Sequence, residues 1–128
     1  MTDDAARTRR AVLESALALR AAWEDHPWDE RVVKVGKKIF VFGGMDEEHP
    51  GGPMVGMKLP SSQPMALAQP GVEPTGYGLG KAGWVSVSLA DFPLPVDVLR
   101  EWVLESYRRI APKKLVAELE ASGSTLTP

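Results

Sequence analysis

The chain has 128 residues, a length that fits one domain with helices packed on a sheet. Apolar residues make up 44% and charged residues 25%, which excludes a disordered chain. A net charge of −2 excludes a global polycation, so nucleic-acid binding needs a local basic face, and the absence of cysteine excludes disulfides, thiolate catalysis and cysteine zinc sites.

The opening residues MTDDAARTRR carry acids and lack an apolar core, which argues against a secretory signal. No apolar run approaches membrane-spanning length, so a reduced, cytoplasmic protein with no membrane contact is expected. Residues 3 to 23 fit an amphipathic helix, with Val12, Leu13, Ala16 and Leu17 at helical spacing and Asp3 and Asp4 favouring its N-terminus. His26-Pro27-Trp28 interrupts the pattern, because proline disfavours helix in the residue before it.

Arg31 to Gly44, RVVKVGKKIFVFGG, predicts a β-hairpin turning at Gly36-Lys37. A two-residue loop sets Val35 opposite Lys38, Lys34 beside Ile39, Val33 opposite Phe40 and Val32 opposite Val41. Met45 to Pro53 is a loop, and Met54 to Leu59 a third strand. Ser61 is placed to cap a short helix through Ala68, with Pro64 in its first turn and Pro70-Gly71 ending it.

Trp84 to Leu89 alternates as a fourth strand, with Val85, Val87 and Leu89 on one face and Trp84, Ser86 and Ser88 on the other. Pro95 opens a strong helix whose buried stripe is Val96, Leu99, Trp102, Val103 and Ile110. Pro112 opens a last helix through about Leu119. The whole reads as an α+β fold, an antiparallel sheet of about four or more strands with helices at both chain ends. A single domain over residues 1–121 and a mobile tail over 122–128 are expected.

The glycine run TGYGLGKAGW, Thr75 to Trp84, invites a phosphate-loop reading and fails it. A Walker loop requires glycine at 75 and a hydroxyl at 82, where Thr75 and Ala82 stand. A dinucleotide loop requires glycine at 81, where Lys81 stands. The next element is a strand, so no helix N-terminus points at an anion. Positive φ or close backbone approach explains the glycines better. His26 and His49 lie far apart in sequence without ligand spacing, so solvated loop residues are expected, with no metal and no cofactor. No nucleophile elbow or paired catalytic carboxylates emerge, and the chain is expected not to be an enzyme.

The basic residues carry more. Arg31, Lys34, Lys37 and Lys38 crowd the hairpin, with Lys58 on the third strand and Lys81 before the fourth. Arg108, Arg109, Lys113 and Lys114 form a second cluster, part of which suits a helix C-terminus. Lys37 and Lys38 fit two roles: donors to phosphates, or charges that keep an exposed turn soluble and guard a sheet edge. Trp84 fits stacking on a base or small ring as well as core packing.

The sequence resembles the MmcQ/YjbR family of small bacterial proteins. The resemblance runs from about Trp23 to Leu119. It rests on His26-Pro27-Trp28, KVGKKIF, VGMKL, PGVEPTGYGLGKAGW and LREWVLESYRRI, in that order. It implies a fold similar to the frataxin-like CyaY domain and a double-wing DNA-binding role. The family's usual Y-H-x-N-K-x-H-W is matched here at Tyr77, Lys81 and Trp84, with Gly78, Gly80 and Gly83 where the histidines and asparagine stand.

Two functions are carried forward. One is a DNA-binding module using Lys34, Lys37, Lys38, Lys58 and Lys81 as a basic face. The other is a non-catalytic domain for a small anionic ligand or a protein, with Trp28, Tyr77 and Trp84 supplying aromatic faces beside the lysines.

Overall fold

The computed structural model describes residues 2–27, 30–45, 53–76 and 78–121. Helix α1 spans Thr2–Leu17, followed by strands β1 (Ala22–Asp25), β2 (Glu30–Val35), β3 (Lys38–Met45) and β4 (Met54–Lys58). Then come α2 (Gln63–Leu67), β5 (Val72–Pro74), a 3-10 turn at Leu79–Ala82, β6 (Trp84–Ser88), α3 (Val96–Ile110) and α4 (Lys113–Ala121). The six strands form one antiparallel sheet in the order β1-β2-β3-β4-β6-β5, with helices near both chain ends: the expected α+β arrangement.

Two strands escaped the sequence. The first helix stops at Leu17 rather than at residue 23, and Ala21, at φ 63°, turns the chain into β1. Pairing with β2, Ala22 to Val35 through Asp25 to Val32, overrides the helical pattern. β5 is three residues long and ends in proline, so it carries little strand signal.

The hairpin turns at Gly36, whose φ of 64° suits the first loop position of a primed turn. Val35 pairs with Lys38 and Lys34 with Ile39, as expected. Beyond them a bulge absorbs Phe40, so Val33 meets Val41 and Val32 meets Phe42, correcting the Val33–Phe40 and Val32–Val41 pairing. The cause lies on α3. The Phe40 ring packs edge-on against Tyr107 at 5.3 Å between centroids. The Ser106 hydroxyl donates to the Phe40 carbonyl at 2.6 Å and accepts from the Lys58 amide at 3.0 Å, bridging β3 and β4 beside the bulge.

One sheet face carries Val33, Val41, Val55, Met57, Val85 and Val87 against α1 and α3. From α3 this core takes Leu99, Trp102 and Val103 as expected, and also Leu104 and Tyr107; Val96 and Ile110 are only partly buried. Arg9 of α1 donates to the carbonyls of Gly43 and Gly44, fastening the helix to β3. On the other face, Phe42 and Trp84 meet edge-on at 5.2 Å. Gly56 of β4 pairs with Phe42 and leaves the gap that lets the two rings touch across the strand.

α2 is capped from outside rather than by Ser61. Glu105 of α3 accepts from the amides of Ser61 and Ser62, at 2.8 and 3.0 Å, and from the Ser62 hydroxyl at 2.6 Å. Pro95 occupies the position before α3 rather than its first turn, and α4 runs on to Ala121. Among the described residues, no helix is long and apolar enough to cross a membrane.

Candidate functional site

Antiparallel pairing decides where the lysines go. β2 runs toward the hairpin tip, β3 away from it, β4 back, and β6 away again. Lys34, Lys37, Lys38 and Lys58 therefore share one end of the sheet with the start of β6. Lys81 sits at that end too, in the turn leading to β6, beyond β4 from the hairpin. The expected cluster is thus a row across the sheet end, with the hairpin tip on one side and Lys81 on the other.

The hairpin tip also meets the second basic cluster. A cleft of about 740 Å³ lies between it and the α3–α4 junction. Lys37 and Lys38 line one wall; Arg108, Arg109 and Lys113 line the other, with no acid among the described lining residues. The floor is apolar, from Val35, Ile110, Ala111 and Val116. Arg108 is drawn toward Glu120, whose carboxylate lies 3.3 Å from both its Nε and an Nη. Lys37, Lys38, Arg109 and Lys113 are exposed, and no described carboxylate is within ion-pair reach of them. A loose ring of cations above an apolar floor attracts an anion of several charges.

Lys34 points to the sheet face away from the helices. Its ammonium lies 2.7 Å from Asp25 of β1 and over the Trp23 ring, 5.3 Å from the centroid. The hydrogen bond from Lys34, and then that from the His26 amide, hold the Asp25 carboxyl below its ordinary 3.8. A carboxyl with a lowered folded pKa adds stability above its unfolded value and loses it as pH falls through the folded one. An NMR titration of the Asp25 carboxyl therefore has its midpoint below 3.8, and Lys34→Ala moves it upward. Trp23 itself was hidden from sequence reasoning, because it falls at the end of the expected helix. Its signal was the exposed β1 edge, visible only once pairing with β2 is known.

Lys58 faces the same way as Lys34, opposite Trp84 in the β4–β6 ladder. Trp84 is only 7% exposed and its ring rests on Phe42. Trp28 and Tyr77 lie outside the described residues, as do Asp46, Glu47, Glu48 and His49. Lys81 stands before the strand as expected, inside a 3-10 turn, and the strand begins at Trp84. Gly78 and Gly83 flank that turn at φ 78° and 99°. Gly80 has no room for a side chain, since a Cβ there falls 2.7 Å from the Cβ of Pro74. Gly78, Gly80 and Gly83 thus serve backbone shape and close approach, while Gly76 has neither a positive φ nor a crowded neighbour. Gln63 donates to the Gly80 carbonyl at 2.7 Å, and a shallow hollow of about 380 Å³ opens beside Lys81, Thr75 and Leu67. Among the described residues, no three histidine, cysteine or acidic side chains gather as a metal site requires.

A family model described as YjbR matches residues 17–109, and no curated protein matches the chain. The matched span holds the hairpin, the glycine loop and nearly all of α3, while the α4 wall of the basic cleft lies past its end.

Proposed function

Starting from a chain that belongs to the YjbR family, we propose that it is a non-catalytic DNA-binding module that grips phosphates with its basic hairpin. One observation carries this reading. Lys37 and Lys38 join Arg108, Arg109 and Lys113, far away in sequence, around one cleft whose described lining residues include no carboxylate. Lysine ammonium groups meet phosphates as point charges, and Arg109 adds a planar fork that can take two phosphate oxygens. Lys58 and Lys81 continue the positive row across the sheet end, lengthening the track a strand can follow.

Fluorescence anisotropy with labelled duplex and single-stranded DNA tests the proposal. Affinity falls linearly in log–log form with salt, because cations that replace counterions on phosphates release them. Lys37→Ala combined with Lys38→Ala weakens every sequence alike and lowers the salt slope by about two. The melting temperature stays close to wild type, since both side chains are exposed. Flat titrations with both DNA forms at low salt overturn the reading.

The cleft volume, about 740 Å³, also falls in the range of small-ligand pockets and supports a second reading, a site for a small polyanion. In that case inorganic polyphosphate raises the melting temperature while DNA does not bind.

A further inference from the structure

Trp23 is 44% exposed on the edge strand β1. It is nonetheless fixed. Its indole N–H donates to the Gly36 carbonyl at 3.0 Å, reaching across to the hairpin tip. Lys34 backs one side of the ring, and Asp25 holds Lys34. The residue's 44% exposure leaves part of the ring open to solvent. The plate stands on the sheet face away from the helices and the cleft on the helix side, and the two meet at the hairpin tip, where Gly36 both receives the indole's bond and lines the cleft.

A rigid aromatic plate beside phosphate-binding cations is what single-strand recognition uses. A base lays its π-face on the ring while the backbone follows the charges. A duplex keeps its bases stacked inside and offers the ring no such face. The bond to Gly36 places the ring, while the stacking energy comes from the ring's own π-face. We propose that Trp23 is a base-stacking platform that makes the chain prefer single-stranded over duplex nucleic acid. This rests on the phosphate-binding reading of the cleft and adds to it the form of the strand.

Three probes of equal length separate the two claims: a thymidine oligomer, the corresponding duplex, and an abasic strand with the same phosphates. Wild type, Trp23→Phe and Trp23→Ala are titrated with each at one low salt concentration, alongside their melting temperatures. Wild type binds the oligomer more tightly than the duplex or the abasic strand. Trp23→Ala loses roughly tenfold on the oligomer, the order expected for one stacked base, and nothing on the other two. Trp23→Phe, which lacks the N–H but keeps a ring, retains most of the oligomer affinity. Equal losses on oligomer and abasic strand, or no loss on either, overturn the stacking role while leaving phosphate binding standing. A Trp23→Phe variant as weak as Trp23→Ala also overturns it, since the indole bond to Gly36 then matters and the plate does not. Wild-type protein that binds none of the three probes removes the nucleic-acid reading and the stacking role together.

Discussion

Replacing Tyr107 with alanine costs the fold about 3–5 kcal/mol, the usual toll for a large aromatic side chain lost from a core. The residue is fully buried in the helix–sheet core. Its ring meets Phe40 edge-on, at 76° between planes. Its hydroxyl donates to the Arg20 carbonyl at 2.7 Å, tying α3 to the turn between α1 and β1. Tyr107→Ala therefore opens a cavity at the bulge and leaves the Arg20 carbonyl without this donor. Against a typical stability of about 5–15 kcal/mol, much of the native margin is lost, and urea unfolding shows it as a large fall in midpoint. Tyr107→Phe keeps the ring and loses only the hydroxyl, so its cost is roughly 1–3 kcal/mol.

The same tyrosine has an alkaline signature. Burial first, and then the Glu118 charge, push the Tyr107 hydroxyl above 10.0, with Arg20 opposing. A group whose folded pKa is raised contributes stability that is complete below its unfolded value and lost as pH rises through the folded one. Wild-type protein therefore loses stability above pH 10 more steeply than Tyr107→Phe does.

Ser106→Ala is the second large effect. Its hydroxyl satisfies two backbone groups at once, the Phe40 carbonyl and the Lys58 amide. These flank the end of the β3–β4 ladder, which among the described residues pairs Val41 with Met57 and Phe42 with Gly56, next to the β2–β3 bulge at Phe40. Alanine leaves both groups without the hydroxyl, at roughly 1–3 kcal/mol for each that stays dry. Threonine restores the oxygen but pushes a methyl group into a fully buried position, which costs about 1–3 kcal/mol through overpacking. Urea midpoints rank the three proteins, and faster hydrogen exchange at the Lys58 amide locates the damage. Comparable midpoints for Ser106→Ala and wild type mean that water has replaced the hydroxyl.

The parts of the fold legible in the sequence are those whose signal is local. The hairpin at Gly36, the alternation from Trp84 to Ser88 and the apolar stripe of α3 each carry their period within a few residues. β1 does not, because Ala22, Trp23, Glu24 and Asp25 include no β-branched residue and continue the spacing of α1. The bulge was invisible for a different reason: Tyr107 and Ser106, which impose it, lie more than sixty residues away. The candidate site divides the same way. Lys37 and Lys38 were readable as an exposed basic turn. Arg108, Arg109 and Lys113 resembled helix-end charges until the chain closed them against that turn.

The glycine loop has a consequence for transplanting relatives' chemistry. Histidine or asparagine at Gly78 meets open space and only the strain of a left-handed backbone, which these types bear better than most. Asparagine at position 80 collides with Pro74, the last residue of β5, which is itself registered against Val85. A chimera meant to recover the polar set must therefore import the neighbouring edge strand along with the loop, because the obstacle is built into the sheet.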